Sequence, residues 1–203
     1  MIGIIRLLDV FIALALLPLG LLVFVLLIIP QMVCFGGIFY IGDRTGKDGR
    51  NFRYVKLKSM RDISSPAAGG RAHLETWRIP FWGRFLRKTH IDEIPELFSI
   101  LVGRESFVGP RPLLAEHIML VDSPQRRALK PGWTGYSQIF LKTRGILPSR
   151  IQRRLDQKLG SELSPALYVR VLCATLCAPR RKPSAIGPTV RAYRQTLQAP
   201  RQG

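Results

Sequence analysis

Acidic residues are scarce in this chain, which has 13 Asp and Glu against 31 Lys and Arg in 203 residues and a formal net charge of +18. Its three cysteines are too few for a disulfide scaffold and indicate a reducing compartment. The sequence contains neither a Walker loop nor a GxGxxG motif, so neither ATP nor a dinucleotide is expected as a cofactor. The three histidines lack metal-ligand spacing. The positive charge predicts an anionic partner, and leaves nucleic acid, a membrane surface and a phosphorylated substrate open.

Charged side chains are absent from residues 10–42. A straight helix of that length would be about 50 Å long, against a hydrocarbon core of about 30 Å, so we expect this segment to enter a membrane. Pro18 should kink or break the helix, and Pro30 should end it. Because residues 43–203 carry the whole net charge, the positive-inside rule places them in the cytoplasm. A re-entrant helix with both ends on that face and a single tilted span both remain open.

Residues 38–41 and 52–58 are predicted to be strands, joined by a turn with an Asp-Gly pair. On the second strand Lys56 and Lys58 share one face, which suits phosphate but also suits a solvated strand edge. Further along, residues 77–88 mix aromatic and basic side chains. That composition fits a segment at the membrane interface better than a surface that stacks on single-stranded nucleic acid.

Three of the 13 acids lie within five residues, at Asp92, Glu93 and Glu96. A helix is expected to start there, because an apolar face follows at helical spacing: Ile94, Leu97, Phe98 and Leu101. Acids in a first turn complement the helix dipole. Such a cluster also suits Mg²⁺, which favours one or two carboxylates together with substrate phosphates. An adjacent carboxylate pair further offers a nucleophile and a helper.

Prolines bracket Arg111 at positions 110 and 112 and restrict the backbone on both sides. A guanidinium fixed in this way is a good bidentate ligand for phosphate. The alternative is a rigid turn with a solvated arginine. Cys173 and Cys177 lie four residues apart on an apolar helix, which is typical of packing rather than of a site.

Four motifs follow the apolar segment in a fixed order: 46–60 (GKDGRNFRYVKLKSM), 83–97 (GRFLRKTHIDEIPEL), 106–114 (SFVGPRPLL) and 131–138 (PGWTGYSQ). Each is weak alone, but their order and gaps together are specific. The chain resembles the bacterial sugar transferase family, the monotopic phosphoglycosyl transferases, from about Ile5 to about Leu176.

The resemblance implies transfer of a sugar 1-phosphate from a UDP-sugar to a polyprenyl (undecaprenyl) phosphate, with release of UMP. This would be the first membrane step of exopolysaccharide, O-antigen or glycoprotein glycan assembly. It implies a covalent phosphosugar intermediate on Asp92, with Glu93 beside it and Mg²⁺ bound by Asp92. Lys56 and Arg111 are expected at phosphates. Four other residues are expected in supporting roles: Arg87, Glu116, Arg144 and Asp156.

The chain departs from the family pattern at several places. Leu17 precedes Pro18 where the family has serine, and the family's break lies about one turn later. The usual Lys-Gly-Asp-Met-Ser reads Val-Gly-Arg-Glu-Ser at 102–106. The Asn-Gly-Arg that often follows the motif at 131–138 in the family is replaced here by Lys-Thr-Arg at 142–144. The alignment of Arg144 with the family's arginine is therefore loose. These changes concern local contacts and leave the Asp92–Glu93 pair intact.

The predicted fold is α+β, a small, mostly helical cytoplasmic domain with a β-hairpin, anchored by an N-terminal re-entrant membrane helix. We divide the chain into the membrane helix at 1–37, the phosphoglycosyl transferase domain at 38–178 and a basic, disordered tail at 179–203. The expected location is the cytoplasmic face of a bacterial inner membrane. Membrane lipid is an expected partner, and homo-oligomerisation is left open.

Two other functions compete with this interpretation. A membrane-anchored nucleic-acid-binding protein would explain the net charge but not the acidic cluster, so no nucleic acid is expected as a partner. An inactive scaffold of a polysaccharide assembly complex would have no need to keep Asp92, Glu93, Lys56 and Arg111. The sequence does not reveal which sugar is transferred.

Overall fold

The computed structural model describes residues 2–62, 79–144 and 147–178. Its helices are α1 (Ile2–Phe35), α2 (Phe81–Thr89), α3 (Glu96–Leu101), α4 (Ala115–Ile118), α5 (Pro124–Arg127), α6 (Tyr136–Arg144), α7 (Ser149–Glu162) and α8 (Pro165–Cys177). Its strands are β1 (Phe39–Thr45), β2 (Asn51–Leu57), β3 (Ser106–Val108) and β4 (Gly132–Thr134). The α+β prediction, with a mostly helical domain, a hairpin and an apolar N-terminal helix, is confirmed. The tail at 179–203 and most of the loop before α2, with the start of the aromatic–basic segment, lie outside these ranges.

Helix α1 is long and apolar enough to cross a membrane, and most of its apolar stretch is exposed. The prediction that Pro30 ends it is wrong, because the helix continues through both Pro18 and Pro30 to Phe35. A proline removes one backbone donor, but packing holds the following turn: the buried Gln31 amide donates to the Lys58 carbonyl oxygen at 3.1 Å. Gly36, with φ +64°, ends the helix instead.

The first half of α1 belongs to the domain core. Arg6 donates from its guanidinium to the carbonyl oxygens of Ile100 and Leu101, at the end of α3. One oxygen of the buried Asp9 accepts three hydrogen bonds, and its donors are the Ser106 hydroxyl at 2.9 Å, the Phe107 amide at 3.0 Å and the Tyr168 hydroxyl at 2.7 Å. These bonds satisfy polar groups that an apolar environment would otherwise penalise. The helix is therefore part of the fold, in addition to being long and apolar enough to act as an anchor.

Strands β1 and β2 form the predicted antiparallel hairpin, with Tyr40 opposite Lys56. The turn uses positive φ at Asp48 and Gly49, residue types that tolerate it. Strand β1 extends to Thr45, beyond the predicted end at residue 41, because the register continues as far as the Thr45–Asn51 pair.

The acidic cluster does not open a regular helix. A 3-10 turn, Ile91–Glu93, follows His90, and α3 begins at Glu96. The predicted apolar face is wrong at Phe98, which is half exposed, while Ile100 is fully buried. The buried residues of α3 are Glu96, Leu97, Ser99 and Ile100. The buried face therefore includes two polar side chains, which a pattern of apolar residues alone does not reveal.

A parallel pair, β3 and β4, lies under α8 and completes the main core. The buried side chains of this core come from α1, α3, β3, α7 and α8: Ala13, Leu97, Ile100, Phe107, Val108, Leu159, Tyr168 and Val171. A second, smaller cluster joins the end of α1 to β2 and α2. The two clusters place the end of β2, the 3-10 turn and the start of α3 side by side.

Candidate active site

An ion-paired lysine lies at the centre of the candidate site. The Lys56 ammonium is 2.5 Å from the Glu93 carboxylate and 3.2 Å from the Glu96 carboxylate. It also lies over the ring of Tyr54, 5.1 Å from the ring centre. Tyr54 and Lys56 share a face of β2 because side chains alternate along a strand. Burial lowers the pKa of Lys56, but the carboxylates of Glu96 and Glu93 outweigh that effect and raise it.

Asp92 is buried in the 3-10 turn, and its Oδ1 atom makes no hydrogen bond with any residue that the structure describes. The turn is set by His90, whose left-handed backbone (φ 59°) ends α2 and redirects the chain. Burial raises the pKa of Asp92, and the charge of Glu93 adds to this, while Lys56 and Arg87 oppose it. A buried carboxylate oxygen without a partner, near two cations, is suited to attack an electrophile or to bind a metal ion.

The Glu93 carboxylate, unlike the Oδ1 atom of Asp92, contacts basic side chains that the structure describes. Burial would raise the pKa of Glu93, but a hydrogen bond from His90 and the charge of Lys56 lower it to about 2. The His90 Nδ1 atom is 3.5 Å from the Glu93 carboxylate. Glu93 is therefore ionised and held in place, which suits an orienting group better than a nucleophile.

Sequence reasoning included Glu96 only as a member of the acidic cluster and assigned no site role to Tyr54, and the structure brings both against Lys56. Glu96 is almost fully buried. Burial and the charge of Glu93 raise the pKa of Glu96 to about 7, although the charge of Lys56 opposes this shift. Burial and the nearby Glu96 raise the pKa of Tyr54. Two signals were available in the sequence: Tyr54 shares a strand face with Lys56, and Glu96 follows Asp92 by about one helical turn.

Arg111 and Asp156 belong to a second constellation. Arg126 is buried, pairs with the Asp156 carboxylate and donates to the Arg111 carbonyl oxygen at 2.5 Å. Burial lowers the pKa of Arg126 and raises that of Asp156, although each charge opposes the shift of the other. The Arg111 side chain itself is exposed. Asp156 therefore supports, through Arg126, the backbone of the segment 110–112, here called the proline loop.

The other predicted supporting residues lie at the surface. Arg87 is exposed on α2, and its charge acts on Asp92. Glu116 is exposed in α4, 3.8 Å from the His117 ring, and Arg144 is exposed at the end of α6. Of the four supporting residues, the structure thus brings Arg87 close to the 3-10 turn, and the roles of all four stay predictions.

A cavity of about 460 Å³ lies between the hairpin turn and α5. Asn51, Pro110 and Arg126 are among its lining residues, whereas Asp92 and Glu93 do not line it. Asn51 is five residues before Lys56, about 17 Å along an extended strand. The cavity therefore borders the proline loop and not the buried carboxylates.

Among residues 2–62, 79–144 and 147–178, no group of three or more His, Cys, Asp or Glu could hold a metal ion by itself. Mg²⁺ commonly binds through one or two carboxylates and takes its other ligands from water and substrate phosphates. The Oδ1 atom of Asp92, which no residue in the described part of the chain hydrogen-bonds, fits this smaller donor set.

These features define a class of protein: a small α+β domain, packed on a helix apolar enough to cross a membrane, that holds a buried carboxylate near an ion-paired lysine. Residues 2–181 match the bacterial sugar transferase family. Since the match covers most of the chain, the chain belongs to this membrane-associated family, and the resemblance drawn from its motifs is confirmed.

Individual relatives carry more specific names. The chain is 33% identical over 141 residues to EpsL, an uncharacterized sugar transferase of Bacillus subtilis, covering 68% of each protein. It is 36% identical over 110 residues to a UDP-glucose:undecaprenyl-phosphate glucose-1-phosphate transferase of Xanthomonas campestris, covering 51% of this chain and 23% of that protein. It is 36% identical over 126 residues to the galactosyl transferase CpsE of Streptococcus agalactiae, covering 55% of this chain and 28% of that protein. The chain thus matches only about a quarter of the last two.

Proposed function

We propose that this protein transfers a sugar 1-phosphate from a UDP-sugar to a polyprenyl phosphate such as undecaprenyl phosphate, and releases UMP. The observation that carries the proposal is Asp92, a buried carboxylate with one oxygen that no described residue hydrogen-bonds and on which the charges of Lys56 and Arg87 act. The name of the Xanthomonas relative supports the same chemistry, and the name of the Streptococcus relative supports transfer of a sugar. Those two names differ in their sugar, so we assign none here.

The reaction proceeds in two displacements at phosphorus. A carboxylate oxygen of Asp92 forms a bond to the β-phosphorus of the UDP-sugar, and the bond from that phosphorus to the bridging oxygen breaks, so UMP leaves with the bond's electron pair. A phosphate oxygen of the polyprenyl phosphate then attacks the same phosphorus. The bond to Asp92 breaks, which regenerates the carboxylate and yields a polyprenyl-diphosphate sugar. A covalent intermediate divides one difficult transfer into two easier ones.

Asp92 would hold Mg²⁺ together with the donor's phosphates, where the ion would neutralise charge on the phosphate oxygens. Lys56, kept charged by Glu93 and Glu96, binds a donor phosphate. Glu93 orients Lys56 and the turn that carries Asp92. Arg111, fixed by its prolines and by Arg126, directs its exposed guanidinium to a phosphate.

The location follows from the substrates and from charge. A polyprenyl phosphate resides in the bilayer, so an enzyme anchored there by α1 meets its acceptor at the membrane surface. The net charge of +18 favours the cytoplasmic face of the inner membrane, where UDP-sugars are available. The product would enter the assembly of an exopolysaccharide, O-antigen or glycoprotein glycan.

The decisive experiment uses a UDP-sugar labelled in the β-phosphate, without acceptor, on the membrane-embedded protein. Wild type should retain the label, and peptide mapping should find it on Asp92. Asp92→Asn should retain none and should release no UMP, because an amide does not form the adduct. Asp43→Asn, a matched change at an exposed strand residue, should behave like wild type.

Four outcomes would contradict the proposal. An unlabelled wild-type protein that still releases UMP with acceptor would mean direct transfer. Label on Glu93 would reverse the two assigned roles. No UMP release across a panel of UDP-sugars would favour the scaffold interpretation, and salt-sensitive binding of nucleic acid without turnover would favour the nucleic-acid interpretation.

A further inference from the structure

Glu105 is a buried acid that the proposed reaction does not use. Its side chain has no exposed surface, and neither carboxylate oxygen has a hydrogen bond of ordinary geometry from any described residue. The backbone amide of Glu105 donates to the Ser99 carbonyl oxygen at 3.3 Å. This bond holds the Glu105 backbone against α3, about one helical turn after Glu96. Glu105 is therefore buried without a direct counter-charge from any residue that the structure describes.

The cluster around Glu105 contains more acids than cations. Among the residues that the structure describes, the titratable groups that interact with it come from β2 (Tyr54 and Lys56), the 3-10 turn (Glu93) and α3 (Glu96). Lys56 is the one cation among them, and its ammonium already contacts both Glu93 and Glu96. An ionised carboxylate without a partner is so costly in a buried site that the group takes up a proton instead.

The electrostatics agree with this geometry. Burial raises the pKa of Glu105 to about 9, and the charge of Glu96 adds to the shift, while Lys56 and the Ser99 hydroxyl oppose it. At neutral pH the neutral acid therefore predominates. Ionised, Glu105 would add a negative charge close to the lysine that a diphosphate donor must approach.

We propose that Glu105 is a positioning residue that stays protonated at neutral pH and so keeps Lys56 available to the donor's phosphates. Acting through Lys56, it need not touch the substrate. The part of this proposal that concerns the donor rests on the proposed function, whereas its protonation does not.

The chain offers two informative substitutions. Glu105 occupies the place where the family motif has methionine, so Glu105→Met removes the buried acid and restores the usual residue. Glu105→Gln keeps nearly the same shape without a charge. Glu162→Gln, at an exposed position on α7, is the matched control for removal of one acid. If the glutamine variant fails to fold, the methionine variant still gives the answer.

The first test measures Tm against pH in nanodiscs. An unfolded Glu105 ionises near its ordinary pKa of 4.5, whereas the folded one keeps its proton up to about 9. Between these values the folded state holds one more proton, so this group lowers the folding equilibrium constant about tenfold per pH unit. In both Glu105 variants this decrease of the folding equilibrium constant with pH is absent. Their Tm relative to wild type should therefore rise between about pH 5.5 and about pH 8.5, and the Glu162→Gln difference should stay constant.

The second test measures the donor KM against pH. In wild type the KM should rise above about pH 9 as Glu105 ionises beside Lys56. In Glu105→Gln this part of the rise should be absent, while the KM near neutral pH should match that of wild type. A side chain that only filled space would change the KM equally at all pH values.

The outcomes are separable. A Tm difference that does not change with pH would overturn the protonated state of Glu105, and with it the proposal. A pH-dependent Tm difference with identical KM profiles would refute the positioning role. A pH-dependent Tm difference with no turnover by wild type would leave the protonation established and would show that the proposed function is wrong.

Discussion

At the scale of single residues, two adjacent acids have opposite electrostatic environments. Asp92 is buried, has an oxygen without a hydrogen-bond partner among the described residues and has a raised pKa, whereas Glu93 is bound by Lys56 and His90 and has a lowered pKa. Pairs of titratable groups whose pKa values are pushed apart typically have different roles in catalysis. The scarcity of acids pointed to this pair in the sequence. Only the contacts distinguish the two residues from one another.

Arg111 is the second residue whose role can be tested directly. Its backbone is held by Arg126, so exchanging its side chain should leave the loop intact. Arg111→Lys keeps the charge but loses the planar fork. We expect kcat/KM to fall about ten- to a hundredfold, the equivalent of one charge-assisted hydrogen bond of about 1.5–3 kcal/mol. The measurement is UMP release at varied donor concentration.

The control for this change is Arg153→Lys, at an exposed position on α7. It should leave kcat/KM and Tm unchanged. Near wild-type turnover by Arg111→Lys would mean that Arg111 is only a turn residue. A large loss of Tm in that variant would instead assign it a structural role.

At the scale of elements, the contact between α2 and the end of β2 decides where Asp92 lies. Helix α2 approaches the chain after β2 so closely that a methyl group on Gly83 would come within 2.1 Å of the Ser59 carbonyl oxygen. Strand β2 carries Lys56, and α2 leads directly into the turn with Asp92. The close approach thus sets the spacing between the lysine and the aspartate.

Gly83→Ala should therefore push α2 away from β2. Overpacking of this kind costs about 1–3 kcal/mol, so we expect a lower Tm together with a loss of turnover. Both can be measured on the purified protein in nanodiscs. Gly3→Ala is the control, since a methyl group there meets nothing within 4 Å. Unchanged turnover in Gly83→Ala would show that the spacing of these elements does not matter to the site.

Sequence patterns located the elements better than their ends. The hairpin was predicted because an Asp-Gly turn separates two apolar segments, and β1 and β2 are paired. The sequence predicts too early an end for α1, because a proline at position 30 is expected to stop a helix, whereas α1 continues to Phe35. The contact between Gln31 and Lys58, distant in sequence, overrides it. Phe98 is expected on the apolar face for a similar reason, since apolar spacing does not register that α3 also buries the polar Glu96 and Ser99.

At the scale of the whole molecule, both ends of α1 contact the same domain. Asp9 binds β3 and α8, and Gln31 binds the residue after β2. These two positions are 22 residues apart, about 33 Å along a straight helix, which exceeds the hydrocarbon core of about 30 Å. A helix that crossed the bilayer upright would draw the polar domain into the hydrocarbon. We therefore expect α1 to enter and leave on one face.

This topology predicts that a cysteine at Gly3 is labelled by an impermeant reagent only from the cytoplasmic side. Because Cys34, Cys173 and Cys177 are all exposed, the experiment requires a background in which they are replaced by serine. A cysteine at Asp48, in the hairpin turn, reports the side on which the domain lies. Labelling of Gly3→Cys from the periplasm, with Asp48→Cys labelled from the cytoplasm, would establish a single span.

The sequence by itself determined the family, the membrane segment, the hairpin and the Asp92–Glu93 pair. These depend on features that are local in the chain: an uncharged stretch, a turn motif, a cluster of scarce acids and the order of four motifs. Tertiary structure alone decided which groups meet. Lys56 lies 37 residues before Glu93, and Arg126 lies 30 residues before Asp156, yet each pair is in contact. The ionisation of a carboxylate depends on its burial and on the charges near it in space, which spacing along the chain does not encode.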